Sequence, residues 1–368
     1  MNALHILFSK GWGGLERYAI EQARRIAARG HNIIFLTREN TPAAKELKAA
    51  SGLHSIEMNP VKYIDLSAIL KIRSIAKNAP ADVVHVHHSA DLGLASPALW
   101  NMPSVRLIFS NYMQVPGPKK DLYHRLEYGR VNLLLTGSDY MLKNNLEYLP
   151  VSRDKAQALP YGLDMERFDP AKAKKGELRK KYKIGEDKIL IGVISRLDPL
   201  KGQMEMIGAM PAVLQRHPQA LLILTGGETP ELAGQVKPAL EDKVKQLGLS
   251  DSVIFTGETN DTSTILADLD VYVLPSHSET FSLGCLEAMA MGKAVIGTDA
   301  GGTPEMLDYG RLGMLAAPKS PEALSENVIK MLNDEPMRLA LGLKAREATL
   351  AKYDIRKVID RLEAIYLG

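Results

Sequence analysis

The feature that most limits the fold of this chain is a recurrence: short, uniformly apolar runs, each followed by a stretch with helical spacing. Residues 4–8 and 33–36 form two such runs. Between them Leu15, Tyr18, Ala19, Ala23, Ile26 and Ala27 share one face of a helix, while Arg17, Glu21, Arg24, Arg25 and Arg29 lie elsewhere and Gly30 ends it. An apolar run without polar alternation suits a strand covered on both faces, so strand, helix and strand read as a βαβ unit in a parallel sheet. Runs at 83–86, 105–109 and 131–135 continue the pattern.

Between 159 and 188 the texture changes: lysines gather around Gly162, Pro170, Gly176 and Gly185, and long apolar runs cease. That stretch reads as a linker. The pattern resumes at 189–194, 220–224, 253–255, 271–274 and 294–296. A chain of 368 residues exceeds what one core usually supports. The sequence therefore predicts an α/β protein of two facing, Rossmann-like doubly wound domains with an interdomain cleft. Residues 1–170 form the first and 171–351 the second, and an amphipathic helical tail, 352–368, packs back on the first.

Composition excludes several classes. With 45% hydrophobic and 24% charged residues the chain is globular, not disordered. A net charge of +3 lacks the dense basic footprint of a nucleic-acid binder, so no nucleic-acid partner is expected. The one cysteine, Cys285, has no partner for an internal disulfide, which fits a reducing, cytoplasmic setting. The first residues lack the cationic start of a secretion signal, and no apolar stretch is long enough to span a bilayer.

In doubly wound sheets ligands bind beyond the carboxyl ends of strands, so the residues leaving each apolar run are the candidates. After 189–194 come Arg196 and Lys201, a planar fork and a point charge suited to a diphosphate. After 271–274 a polar loop containing Glu279 leads through Ser282 to Gly284 into a helix that carries Glu287 and ends at Gly292. The amide groups at the start of that helix form an anion site. Two carboxylates beside it can accept hydrogen bonds from a vicinal diol, as in ribose or hexose.

The string Glu279-Thr280-Phe281-Ser282-Leu283-Gly284-Cys285-Leu286-Glu287-Ala288-Met289-Ala290, followed by Gly292-Lys293 and Gly301-Gly302-Thr303-Pro304-Glu305, resembles the two-glutamate signature of retaining GT-B glycosyltransferases of family four. Ser195-Arg196-Leu197 with Lys201-Gly202 is similar to that family's diphosphate-binding strand end, and Gly13-Gly14-Leu15-Glu16 to its glycine loop. Asp82-Val83-Val84-His85-Val86-His87 is similar to its first-domain strand, and Tyr161-Gly162-Leu163-Asp164 to its interdomain turn. The resemblance spans nearly the whole chain, and the second half carries the more specific motifs.

Carried over, the resemblance implies a retaining, metal-independent hexosyltransferase that needs no cofactor and uses a nucleoside-diphosphate sugar as co-substrate, a UDP-sugar first and a GDP-sugar second. Arg196 and Lys201 would neutralise the diphosphate, the backbone of Phe281, Ser282 and Leu283 would cradle its distal phosphate, Glu287 would hold the ribose, and Glu279 the transferred sugar. Gly13 and Gly14 would let the first domain's backbone approach the phosphates. The family places a histidine after the strand matching 105–109. Here that segment reads Ser110-Asn111-Tyr112-Met113, which leaves Asn111, Tyr112 and His87 as candidate sugar contacts.

Two motifs are set aside. Asp268-Leu269-Asp270 imitates the metal motif of a different glycosyltransferase fold but directly precedes a buried strand, and His85, His87 and His88 lack a further ligand cluster. Basic residues in the first domain, Arg17, Arg24, Arg25, Arg29, Lys119, Lys120, Arg125 and Arg130, mark a surface for an anionic or lipid-linked acceptor such as a lipopolysaccharide core. The stretch 122–131 is amphipathic as well as basic, a pattern that can rest on anionic membrane at the inner face of the cytoplasmic membrane. A sugar-nucleotide-binding protein without turnover and a nucleotide-sugar epimerase remain open as alternatives.

Overall fold

A computed structural model of the chain describes residues 1–49, 52–61, 65–229 and 232–368. They divide into two compact units, Met1–Gly162 with Arg356–Gly368, and Leu163–Ile355.

The first unit runs β1 (Asn2–Leu7), α1 (Gly14–Ala27), β2 (Asn32–Arg38), α2 (Pro42–Ala49), β3 (His54–Met58), α3 (Leu66–Asn78), β4 (Val83–Val86), α4 (Leu92–Ala98), β5 (Arg106–Asn111), α5 (Leu122–Gly129), β6 (Leu133–Thr136), α6 (Asp139–Tyr148) and β7 (Ala156–Ala158). Its seven strands are parallel, in the order β3-β2-β1-β4-β5-β6-β7. The order reverses between β1 and β4, which defines the switch point where a doubly wound sheet opens. The interior strands are the apolar runs of the sequence. The edge strands β3 and β7 are not, because β3 is half-exposed and β7 has only three residues.

The second unit runs α7 (Glu177–Tyr182), β8 (Ile189–Ile194), α8 (Gln203–Arg216), β9 (Ala220–Thr225), α9 (Val236–Gln246), β10 (Val253–Gly257), α10 (Thr262–Asp268), β11 (Val271–Leu274), α11 (Leu283–Ala290), β12 (Ala294–Thr298), α12 (Thr303–Met306), β13 (Met314–Ala316), α13 (Pro321–Asn333) and α14 (Glu335–Lys352). The final helix, α15 (Ile355–Leu367), belongs to the first unit from Arg356 onward. The second sheet is also parallel, ordered β10-β9-β8-β11-β12-β13, with its switch point between β8 and β11. Alternate residues of its strands face opposite layers. Ile191, Val193, Leu222, Leu224, Val271 and Val273 join one buried cluster, while Leu190, Ile223, Tyr272 and Leu274 join another.

The division falls between Gly162 and Leu163. Leu163 donates to the Tyr353 carbonyl at 2.7 Å and accepts from the Ile355 amide at 3.0 Å, and Met165 and Phe168 are buried in the second unit's core. Residues 163–170, placed by the sequence with the first domain, therefore pack in the second unit. The returning tail begins at Arg356. It buries Val358, Ile359, Leu362 and Tyr366, and Arg29 meets Asp360 at 2.5 Å and also Glu363, which receives His31 at 2.6 Å. No helix among the described residues is long and apolar enough to cross a membrane.

Under α15 the first sheet holds a polar core. His5 Nδ1 lies 2.9 Å from His87 Nε2, and the Tyr366 hydroxyl lies 3.2 Å from His5 Nε2 and 2.5 Å from His85 Nδ1. His85 Nε2 reaches Ser110 Oγ at 2.7 Å. Burial lowers His5 to about 3 and holds His85 and His87 well below the ordinary histidine value of 6.5, with neighbouring imidazoles adding to the shift of the last two. These rings are neutral in the folded protein and take up protons on unfolding. Their contribution to stability is complete above pH 6.5 and is lost as the pH falls below it, by about 1.4 kcal/mol per pH unit for each ring. We expect Tm to fall between about pH 7 and about pH 5, and His87→Gln to remove part of that fall. An unchanged pH slope in the variant would show that other groups set it.

Candidate active site

The second unit's switch point brings two loops together, the one leaving β8 and the one leaving β11. In the first, Asp198 accepts from the Leu200 amide at 2.9 Å and from Thr229 Oγ1 at 3.0 Å, which fixes the single turn Pro199–Lys201 and aims Lys201. Buried Gln203 donates to the Arg196 carbonyl at 2.8 Å and to Ser195 Oγ at 2.9 Å. The loops then meet backbone to backbone. The His277 amide donates to the Leu200 carbonyl at 2.9 Å, and Gly202, at φ +71°, lies so close to Pro275 that a Cβ would fall 2.0 Å from its carbonyl oxygen. Gly284 makes a second close approach, where a Cβ would fall 2.9 Å from the Ile194 carbonyl oxygen and 2.8 Å from the Tyr272 hydroxyl.

This closeness brings the charged side chains together. Lys201 Nζ lies 2.6 Å from Glu279 Oε1, and Ser276 Oγ donates to the same oxygen at 2.9 Å. Both charged side chains are largely sheltered, at 21% and 11% exposure, so the pair is screened less than a surface pair would be. The Gly302 amide holds the Glu279 carbonyl at 2.6 Å, fixing the loop from the other side. Ser282 caps α11 by accepting from the Cys285 amide at 3.2 Å. The Leu283 and Gly284 amides belong to the first turn, which has no intrahelical acceptors. The Ser282 amide is directed to Met306 Sδ at 3.3 Å, a weak acceptor that a phosphate oxygen can replace.

Glu287 is half-buried on α11 and accepts from Thr262 Oγ1 at 2.8 Å. Arg196 is exposed at the mouth of the β8 loop. Cys285 is fully buried, and burial pushes its thiol up to about 12, which removes it as a nucleophile. Sequence reasoning missed Asp198, Gln203, Thr262, Ser276 and Met306. Ser276 reaches a side chain three residues on, and the other four act through a partner distant in the chain or through a backbone group; no local motif signals such contacts.

The first unit corrects the expected sugar contacts. His87 is 1% exposed and bound to His5 within the core. Asn111 is buried, donating to Asn145 Oδ1 at 2.6 Å and accepting from the Met113 amide at 3.2 Å. Tyr112 is buried between Tyr18 and Tyr161, with ring centroids 5.9 and 4.6 Å away. All three are core residues because the strand ends that carry them are covered. Gly13 is the N-cap of α1, and its amide donates to Glu16 Oε2 at 2.8 Å; Gly14 opens the helix and is exposed. Asp268 caps α7 by accepting from the Gly176, Leu178 and Arg179 amides, and Asp270 accepts from Leu190 at 2.8 Å, so both carboxylates have structural work. Among the described residues, His5, His85 and His87 bring three potential metal ligands within 4.8 Å, but hydrogen bonds in the core already occupy most of their nitrogens.

A sheltered cation, a helix N-terminus and two oriented carboxylates together suit a ligand that is anionic at one end and rich in hydroxyls at the other. The geometry depends on Gly202. Gly202→Ala is expected to cost at least about 3 kcal/mol, combining left-handed strain with collision. Gly248→Ala, at φ +67° in open space, should cost only the strain, about 1–2 kcal/mol. Equal losses in denaturant unfolding would show that close approach is not what the loop requires.

Comparison with known proteins agrees with this arrangement. Residues 174–348 match the family described as Glycosyl transferases group 1, and residues 12–167 match Glycosyltransferase Family 4. The N-acetyl-alpha-D-glucosaminyl L-malate synthase of Bacillus anthracis is 25% identical over 96% of this chain and 93% of its own. Anabaena Alr3699/HepE, solved with UDP and glucose, superposes with a TM-score of 0.83 at 19% identity, covering 100% of this chain and 99% of that one. WaaG, a glycosyltransferase involved in lipopolysaccharide biosynthesis, superposes with a TM-score of 0.73 at 21% identity and 100% coverage of both chains. The solved structures share the fold of two parallel-sheet units; one family match covers most of the first unit and runs five residues past the division at Gly162, and the other lies within the second unit. The chain belongs to the family 4 glycosyltransferases and has the GT-B fold.

Proposed function

We propose that the protein transfers a hexosyl group from a nucleoside-diphosphate sugar, a UDP-sugar in the first instance, to a hydroxyl of a saccharide or glycolipid acceptor, with retention at the anomeric carbon. The observation that carries the proposal is the Lys201–Glu279 contact of 2.6 Å beside the N-terminus of α11. When the bond between the anomeric carbon and the diphosphate breaks, the electron pair remains on the leaving oxygen. Arg196, Lys201 and the first amides of α11 stabilise that charge. Lys201 exchanges its carboxylate partner for phosphate, and Glu279 then accepts from the hydroxyls of the transferred sugar. Glu287, oriented by Thr262, accepts from the ribose. The acceptor oxygen bonds to the anomeric carbon on the face the diphosphate leaves, and its proton passes to the departing diphosphate oxygen, which carries the electron pair of the broken bond. The UDP held by Anabaena Alr3699/HepE supports the choice of base.

An envelope glycolipid acceptor is supported by WaaG's role in lipopolysaccharide biosynthesis and by one surface of the first unit. On and before α5, Leu122 is 74%, Leu126 51% and Met113 57% exposed, and Lys119, Lys120 and Arg125 stand among them. Exposed apolar side chains interspersed in sequence with cations match an anionic bilayer surface, where each cation contributes about 1 kcal/mol.

The donor reading is tested with a thermal-shift panel of UDP-, GDP- and ADP-sugars, together with release of the nucleoside diphosphate. A UDP-sugar should raise Tm, and Arg196→Ala and Lys201→Ala should each lower turnover by roughly 10²- to 10³-fold while the fold survives. Near-normal turnover in the double variant would sink the assignment; an altered sugar nucleotide formed without acceptor would indicate an epimerase, and binding without release a non-catalytic protein. The membrane reading predicts flotation with anionic vesicles at low salt that is lost in Leu122→Ser/Leu126→Ser. No association of the unmodified protein would favour a soluble acceptor.

A further inference from the structure

We infer that Trp12 is a stacking platform for a pyranose ring of the acceptor, an inference that rests on the glycosyl-transfer reading above. The first unit's sheet reverses between β1 and β4, and the loop leaving β1 stands at that switch point, where a doubly wound unit receives its ligand. The loop is tied down at three places. Ser9 Oγ donates to Glu16 Oε1 at 2.6 Å, the Gly11 amide donates to Ser9 Oγ at 3.0 Å, and the Gly13 amide donates to Glu16 Oε2 at 2.8 Å. Trp12 sits between the two tied glycines, so its backbone is held although neither neighbour has a side chain.

The indole itself is also held. The Arg17 guanidinium lies over it, 5.2 Å from the ring centroid, an attractive arrangement for a cation and an aromatic face. Trp12 is half-buried and lies outside the apolar core of its unit, so core packing does not account for the largest side chain in the loop. A fixed aromatic at a ligand-binding position can offer a large contact area with little entropy left to lose. The negative face of the indole that Arg17 does not cover attracts the C–H bonds on the apolar face of a pyranose, and Lys10 and Arg17, both exposed and two and five positions from Trp12 in the chain, can donate to its hydroxyls. This assigns the first unit a sugar-recognition role separate from the diphosphate chemistry of the second.

The chain has two tryptophans, so Trp100→Phe leaves Trp12 as the sole indole fluorophore. Trp100 is 58% exposed, and the replacement should leave the fold intact. The full chain carrying Trp100→Phe is titrated, with and without UDP, with methyl α-D-glucopyranoside, methyl α-D-mannopyranoside and methyl α-D-galactopyranoside, and with glycerol and L-malate as a ringless polyol and a ringless anion. The expected result is a saturable change in emission with at least one pyranoside and with neither control. A response to no pyranoside overturns the inference, and so does an equal response to L-malate, which would make Lys10 and Arg17 an anion site. A UDP-sugar thermal shift without a pyranoside response removes the platform and keeps the transfer reading. A pyranoside response in a chain stabilised by no nucleotide sugar keeps the platform as a sugar site and removes the transfer reading.

Discussion

The site depends on two loops touching without side chains between them. A parallel sheet that reverses its winding sends consecutive crossovers to opposite faces and leaves a notch above the two central strands. In the second unit that notch lies above β8 and β11, and Gly202 and Gly284 allow it to close to backbone contact. Closure is what brings Lys201, from the β8 side, within a hydrogen bond of Glu279, from the β11 side. It also fixes the start of α11 beside them, since Gly284 rests on the last carbonyl of β8. The Thr298 hydroxyl, donating to the Ser276 carbonyl at 2.5 Å, braces the β11 loop from the next strand. Side chains at either glycine would separate the cation from the carboxylate.

Much of this was legible in the sequence, for a physical reason. Interior strands of a parallel sheet are apolar on both faces, so β1, β2, β4, β8, β9 and β11 stand out as runs, and ligand-binding loops follow directly from their ends. Arg196, Lys201, Glu279 and Glu287 could be nominated because they lie one loop or one helical turn beyond such runs. The edges were less visible. β3, β7 and β13 are short or half-exposed, and their pairing is decided by neighbours. The boundary at Leu163 was missed by a few residues because it is set by hydrogen bonds to Tyr353 and Ile355, nearly two hundred positions away.

The nominated residues that lie in the core share a cause. Asn111, Tyr112 and His87 also follow strands, but they are buried inside the first unit against Asn145, a tyrosine cluster and His5. Sequence position shows that a residue leaves a strand end; it does not show whether the next layer covers it. The same limit hid Thr262 and Gln203, whose roles arise only when α10 approaches α11 and when α8 turns back beneath the β8 loop.

The two cations of the candidate site are built differently, and the difference bears on how a charged ligand could be accepted. Arg196 is exposed while Gln203 holds its backbone in place, so its guanidinium can meet an incoming diphosphate in water. Lys201 is sheltered and paired. A sheltered ion pair contributes little net stability, but loss of one partner leaves the other charge desolvated and uncompensated. If Lys201 leaves, Glu279 keeps the Ser276 hydroxyl but loses its cationic partner, so the exchange is favoured when something else donates to the carboxylate. The hydroxyls of a correctly placed sugar can do so at the moment the diphosphate captures the lysine. A nucleoside diphosphate alone supplies the anion but not the hydroxyls, so the exchange is complete only with the intact sugar nucleotide. Under the proposed function, the resting pair would make binding of the sugar and binding of the diphosphate depend on each other, through a single contact rather than through separate subsites.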